Sequence, residues 1–228
     1  MNIFSISDLH LSHVKQKSMD IFGPHWRDHW TRIASDWTAR VRPEDIVLIA
    51  GDISWAMTYE EAEPDLRAIG DMPGRKILIK GNHDYWHCSY KKTLAHLSEG
   101  MDFLQNNTIP LDGYAFAGTR GWKQEGQDFT GHDRKIYLRE LERLRLSLSA
   151  AQKTGLPIYA MIHYPPFSAQ KKSTPFTQLF SEFGVRRVVY GHIHGSPANA
   201  GSYPDLVLDG VIYTMTACDY LNFKLLQL

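Results

Sequence analysis

Eight short apolar runs, each continuous rather than alternating with polar residues, constrain the fold of this chain more than any other feature. Several are rich in β-branched residues, and continuous apolarity over so few residues is typical of strands that are covered on both faces. The runs are residues 2–7, 45–50, 75–80, 114–119, 157–163, 185–191, 210–216 and 222–228. The sequence therefore predicts an α/β protein whose strands are packed between other layers.

Four helical patterns separate the earlier runs, which favours α/β units in the first part of the chain. Thr58 and Glu61 have the spacing of a capping box, whereas Pro64 is expected to break or restart the helix that they begin. From about residue 156 onward we expect strands to predominate. The predicted helices cover residues 25–41, 58–72, 89–100 and 133–155.

The length predicts one domain over residues 1–228, and the composition excludes several classes of protein. Lys and Arg balance Asp and Glu at 25 each, so no basic field favours extended nucleic-acid binding. Cys88 and Cys218 are too few for a multi-thiolate zinc site and suit a reduced compartment. We expect no signal peptide, because the N-terminus has no basic segment and reaches Asp8 early. We expect no membrane span, because no run approaches roughly 20 apolar residues, and hence a cytoplasmic location.

Five of the predicted strands end in side chains that can bind a metal ion. One such ending is most simply a turn residue or a helix N-cap, but five are hard to explain in that way. Ligands of open α/β sheets bind at the carboxyl ends of the strands, so we expect these side chains to form one site. They are Asp8 and His10, Asp52, Asn82 with His83 and Asp84, His163, and His192 with His194.

Without two of its members, His83 and Asp84, this set offers two Asp, one Asn and four His and contains no thiolate. Such donors suit one or two divalent or trivalent first-row ions rather than Ca²⁺, which prefers oxygen ligands alone. Seven donors are too many for one ion or for a structural zinc site, so one donor, such as an Asp, would bridge two ions. Neighbouring glycines would let these side chains crowd together.

In this order, the elements D-x-H, G-D, G-N-H-[DE], H and G-H-x-H resemble the calcineurin-like metallophosphoesterases from residue 8 to residue 194. The resemblance implies a β-sandwich of two mixed sheets flanked by α-helices, with a dimetal site at the carboxyl ends of the strands. It implies that one ion is held by Asp8, His10 and His194, that the other is held by Asn82, His163 and His192, and that Asp52 bridges the two. Mn, Fe or Zn are the expected metals, with Co or Ni also compatible.

The same resemblance implies hydrolysis of phosphodiester or phosphomonoester bonds by attack of a hydroxide held by the two ions. His83 would protonate the leaving oxygen or stabilise its charge. Asp84 would either orient the His83 imidazole or cap the segment that follows, and the sequence leaves both open.

The expected partner is a small phosphate ester, with nucleotides among the candidates. The stretch GDISWAM lacks the Arg that protein phosphatases of the superfamily carry after G-D, and 228 residues leave little room for the capping domains of its nucleases. The alternative function is a scaffold that has lost catalysis. Retention of Asp52 and His83 favours the enzyme.

Several other polar and aromatic residues have two interpretations each. Arg120 and Arg134 would bind phosphate oxygens or form surface salt bridges, and Trp122 lies in a polar stretch, residues 118–135, that could form a lid. The loop aromatics would stack on a base or pack in the protein; they are Trp55, Tyr85, Trp86, Tyr164 and Phe167. The remaining histidines are interpreted as surface or packing residues, although His13 and His132 could approach the site; the set is His13, His25, His29, His87, His96 and His132.

Overall fold

A computed structural model describes residues 1–14, 17–126, 128–195 and 205–228. Its described strands form two mixed sheets, one of five strands and one of six. The strands are β1 (Ile3–Ile6), β2 (Ile46–Ile49), β3 (Arg75–Ile79), β4 (Met101–Leu104), β5 (Thr108–Leu111), β6 (Tyr114–Thr119), β7 (Ile158–Ile162), β8 (Arg187–Tyr190), β9 (Leu206–Leu208), β10 (Val211–Met215) and β11 (Leu226–Gln227).

Each sheet has a parallel centre and at least one antiparallel edge. The first has the order β11-β1-β2-β3-β4, with β11 antiparallel to β1. The second has the order β5-β6-β7-β8-β10-β9, with β5 and β9 antiparallel at its two edges. Parallel strands point their carboxyl ends to the same edge of a sheet, which is where the candidate site residues follow β1, β2, β3, β7 and β8.

Three apolar layers explain why the strands are continuously apolar. Between the sheets, Ile46 and Leu48 of β2 pack in one cluster with Met161 of β7. The alternate residues of β2, Val47 and Ile49, face a second cluster that the helices cover. A third cluster lies between the six-stranded sheet and its own helices. The predicted β-sandwich of two mixed sheets flanked by helices is therefore confirmed.

The helices largely follow the predicted patterns but are shorter. Pro64 neither breaks nor restarts α2, contrary to the prediction, because Pro64 and the Glu60 carbonyl that loses its hydrogen-bond donor both lie on the exposed side. The helix over residues 25–41 begins only at His29, since Pro24–Trp26 form a 3-10 turn. The helices are α1 (His29–Arg40), α2 (Tyr59–Gly70), α3 (Tyr90–His96), α4 (Gly131–Gln152) and α5 (Pro175–Glu182).

Four elements lie outside the predictions: β4, β5, β9 and α5. The edge strands β5 and β9 are short, and β5 contains Pro110, which a sheet tolerates only at an edge. The α5 helix begins at a capping box between Thr174 and Thr177 and has Pro175 at its first position, although strands were expected there. The run over residues 222–228 is mostly a turn that ends in β11. Across the described residues, no helix combines the length and apolarity needed to cross a membrane.

Candidate metal centre

The carboxyl ends of strands from both sheets meet at one place, and backbone contacts hold them there. The Asp8 N–H donates to the Gly51 carbonyl, which joins the ends of β1 and β2. The Nδ1 atom of His163, after β7, lies 2.9 Å from the Ala50 carbonyl after β2, so the two sheets are joined through a site residue. A carbonyl can only accept, so a neutral His163 keeps its proton on Nδ1 and presents Nε2 to the site.

Asp8, His10 and His194 form the first of two groups of possible ligand atoms, which all lie within 4.8 Å of one another. The Nε2 atoms of His10 and His194 are 3.2 Å apart, and His194 Nε2 is 3.5 Å from Asp8 Oδ1. Asp8 and His10 are buried, whereas His194 is about one-third exposed at 35%. These three residues offer one oxygen and two nitrogen donors.

Asp52, His163 and His192 form the second group, also within 4.8 Å. Asp52 Oδ2 lies 3.4 Å from His163 Nε2, and Asn82 Oδ1 lies 2.8 Å from both His163 Nε2 and His192 Nδ1. The same Asp52 Oδ2 is 3.8 Å from His10 Nε2 in the first group. The structure therefore brings all seven predicted ligands together, with Asp52 between the two groups.

The backbone at these positions is unusual for residues with side chains. Asp8, His10, Asp52 and His192 have φ values of 59°, 47°, 51° and 71°, in the left-handed region that favours glycine. Such strain is tolerated where the surrounding structure fixes it, and it gathers at functional sites. Here it occurs at four of the seven predicted ligands.

Three glycines leave the space that the ligands occupy. A Cβ atom on Gly81 would overlap the Asp52 carboxylate, and one on Gly191 would overlap the Asp8 carboxylate. A Cβ on Gly51 would lie 2.7 Å from His163 Nδ1. Converging nitrogen and oxygen donors, no thiolate and glycine-lined space suit first-row metal ions, so the residues present fit such a centre.

Burial and opposite charges shift the pKa values of the site residues. Burial raises the pKa of the Asp8 carboxyl to about 6, although His163 and His194 oppose the shift. Burial also acts to raise the pKa of Asp52, but His163 and His10 outweigh it and hold that pKa well below its ordinary value. Burial acts to lower the pKa of His163, yet Asp52 raises it to about 9. Asp52 and His163 therefore form a buried ion pair, and a bound cation would displace the His163 proton.

Asp84 holds the loops of the site together through hydrogen bonds that do not involve the His83 ring. Its fully buried carboxylate accepts from the backbone N–H groups of Ile53, Ser54 and Gly81 and from the indole N–H of Trp86. These bonds join the segment after β2 to the segment after β3, a role that neither of the two interpretations of Asp84 includes. His83 is half-buried, its ring centroid 5.6 Å from that of His10 and 4.4 Å from that of Trp55.

Asp219 is a site residue that the sequence analysis missed. Its carboxylate lies 3.3 Å from His194 Nδ1 and accepts from the Gly195 N–H at 3.0 Å. A carboxylate on the second nitrogen of a ligand histidine orients the ring and strengthens it as a donor. Asp219 follows the apolar run over residues 210–216, so its place after a predicted strand is visible in the sequence.

The remaining candidates mostly pack within the protein. Arg134 pairs with Glu125 on the surface at 3.3 Å, and the Trp122 indole donates to Asp133 in the first turn of α4. His13 lies 2.6 Å from the buried Asp65 carboxylate. Of the other histidines, His132 is exposed and the rest contact backbone or aromatic rings; those with such contacts are His25, His29, His87 and His96.

A family model described as calcineurin-like phosphoesterase matches residues 1–196. The chain belongs to the calcineurin-like phosphoesterase family. Membership supports metal-dependent phosphoester hydrolysis in general and implies a dinuclear metal centre. The two Asp and His groups described above are able to bind such ions.

Individual relatives of this calcineurin-like phosphoesterase are distant or match only in part. It is 36% identical to the Gene 66 protein of Mycobacterium phage D29 over 122 residues, which are 49% of this chain and 58% of that protein. The phosphopantetheinyl hydrolase PptH of Mycobacterium tuberculosis has a similar structure, with a TM-score of 0.60, 15% identity, and 100% of this chain and 95% of that chain covered. TT1561 of Thermus thermophilus has a TM-score of 0.58, 12% identity, and coverage of 99% and 96%. At these identities the structural likeness concerns the fold alone.

Proposed function

We propose that this chain hydrolyses small phosphodiesters or phosphomonoesters at a dinuclear metal centre. One ion would be held by Asp8, His10 and His194, the other by Asn82, His163 and His192, and Asp52 would contact both. The observation that carries this proposal is the position of the Asp52 carboxylate, 3.4 Å from His163 Nε2 on one side and 3.8 Å from His10 Nε2 on the other.

Two bound ions would neutralise the phosphoryl oxygens and activate a water molecule for in-line attack. The protein's own contribution is to fix the ligand positions through the Asp84 and Asp219 carboxylates and the backbone of the strand ends. His83 lies beside both groups, and its backbone N–H donates to Asp52 Oδ1 at 2.8 Å. That bond fixes the His83 backbone and does not use the imidazole. The imidazole would donate a proton or a hydrogen bond to the leaving oxygen.

His83→Ala is expected to lower kcat by about two orders of magnitude, the usual effect of removing a general acid. The metal content should not change, because the variant keeps the backbone N–H that binds Asp52. Metal analysis and steady-state kinetics on the same preparation measure both quantities. Loss of metal in this variant would mean that His83 is a ligand and that the assignment is wrong.

An apolar cavity of about 420 Å³ opens beside the site and suggests where the organic part of the ester binds. One of its sides is formed by His10, His83 and His194 of the candidate centre. The rest is largely aromatic or sulfur-containing, with Met19, Phe22, Trp26 and Trp55. We therefore propose a substrate whose phosphate lies at the metals and whose apolar or aromatic group enters this cavity.

Phe22→Ala is expected to raise KM for an aryl phosphate about fivefold, equivalent to ~1 kcal/mol of lost apolar contact. Hydrolysis of methyl phosphate, which has no aryl group to contact Phe22, should be unchanged. Ile21→Ala is the matched control, because Ile21 is the exposed neighbour and does not line the cavity. Equal effects of the two substitutions on aryl phosphate hydrolysis would remove Phe22 from the substrate site.

The proposed activity is tested by a substrate panel with Mn²⁺ supplied. It compares bis-p-nitrophenyl phosphate, p-nitrophenyl phosphate, cyclic nucleotides and single-stranded DNA. We expect turnover of a small ester and none of single-stranded DNA, and the two p-nitrophenyl esters separate diesterase from monoesterase. A metal-loaded protein that hydrolyses none of these compounds would favour the scaffold alternative.

A further inference from the structure

A second cavity, of about 220 Å³, has an unusual charge. None of the predicted metal ligands lies among the described residues that line it. Four cationic side chains face one carboxylate there. The lining comprises Lys80, His87, Cys88, Leu104, Gln105, Thr119, Arg120, Arg139, Glu140 and Arg143.

The one carboxylate, Glu140, is fully buried and already has partners. It accepts from Arg143 at 2.7 Å and from the Thr119 hydroxyl at 2.6 Å. Arg139 and Arg120 lie 3.6 and 3.7 Å from the same carboxylate. Glu140 therefore arranges three guanidinium groups around itself but balances only one of their charges.

Lys80 adds a fourth positive charge to the lining of the cavity. Within the described ranges, no carboxylate lies within 4.0 Å of its ammonium group, although the side chain is partly buried. Arg120 in addition keeps a buried Nε atom without a hydrogen-bond acceptor. Unpaired cations and unmatched donors at a partly buried place cost free energy, which a bound anion would recover.

We propose that this cavity binds a small oxyanion of the phosphate class. Guanidinium groups bind such anions through paired hydrogen bonds, and the Lys80 ammonium supplies a point charge beside them. The anion would be free phosphate or the phosphate group of a larger molecule, since both present the same oxygens. Binding at this cavity does not depend on the proposed hydrolytic activity.

The cavity adjoins the segments that carry two of the predicted ligands. The Arg120 carbonyl accepts from the backbone N–H groups of His163 and Tyr164 at 3.0 and 3.2 Å. Lys80 lies two residues before Asn82. The site is thus close to the candidate metal centre but is built from other side chains.

The test is calorimetric titration of the metal-loaded full chain with inorganic phosphate. Lys80→Gln and Arg139→Gln are each expected to weaken one binding component about tenfold, since each removes a charged hydrogen-bond donor. Arg145→Gln is the matched control on the same helix, because Arg145 pairs with Glu182 and does not line the cavity. The control should bind phosphate as the unmodified chain does.

Lys80→Gln has a second expected effect, a higher Tm in phosphate-free buffer, because it removes a partly buried charge that lies among three guanidinium groups. Arg139→Gln, at a side chain that is 54% exposed, keeps the test available should the Lys80 variant fold poorly. Titration with phenylphosphonate distinguishes the two sources of the anion. Binding equal to that of phosphate supports a phosphate group on a larger molecule, whereas binding of phosphate alone supports the free ion.

The Asp52→Asn variant separates this site from the metal centre. The cavity component should persist there, whereas phosphate bound at the metals should be lost. The inference is overturned if the chain binds no phosphate, or if Asp52→Asn removes all binding and Lys80→Gln none. Phosphate binding at the cavity in a chain without hydrolytic activity would count against the proposed function alone.

Discussion

Asp52→Asn is expected to lower turnover by at least about three orders of magnitude and to remove most of the bound metal. The substitution keeps the shape of the side chain but deletes the charge that lies between the two groups of ligands. Both ions would lose an anionic ligand at once, and His163 would lose the carboxylate that pairs with it. Metal content and kcat, measured on one preparation, test whether Asp52 is the ligand shared by the two ions.

Asp112→Asn is the matched control for this substitution. Asp112 is an exposed aspartate with a φ of 47°, so it shares the left-handed backbone of Asp52 without its position in the site. Activity and metal content should be unchanged in the control. An Asp52→Asn chain that keeps both metal and turnover would remove Asp52 as the shared ligand.

Gly81→Ala is expected to lower turnover at least about a hundredfold, comparable to the cost of a displacement of about 1 Å at an active site. The added Cβ would overlap the Asp52 carboxylate and the Asp52 backbone nitrogen. Because Gly81 does not have a left-handed φ, the effect would come from this overlap rather than from backbone strain. The displaced carboxylate should also weaken metal binding, which a metal titration of the variant measures.

Gly131→Ala provides the comparison, since a Cβ at the first residue of α4 meets nothing within 4 Å. Its kinetics and metal affinity should match those of the unmodified chain. If Gly81→Ala also behaved like the unmodified chain, the close packing around Asp52 would have no functional role.

The central strands could be predicted because both faces of each sheet are covered, which makes residues such as Val47 and Leu48 apolar in succession. The strands that escaped prediction lie at edges, where β9 is little buried and β5 contains Pro110. The division of the strands into two facing sheets came from the family resemblance, because apolar runs do not say which strands are neighbours.

The positions of the site residues were predictable for a local reason, whereas the contacts made by their supporting residues were not. Asp8, Asp52 and His163 each follow a strand within a few residues, and parallel strands bring such positions together. Asp219 and His194 lie 25 residues apart in the sequence, so their contact can be recognised only in the folded structure. The same holds for Glu140, whose partner Thr119 lies 21 residues away.

The metal content of protein purified without chelator is the most direct test of the dinuclear centre. We expect close to two first-row ions per chain by elemental analysis, because the two groups of ligands each offer a separate set of donors. Protein that contains no metal and gains none when Mn²⁺ is supplied would contradict the dinuclear assignment.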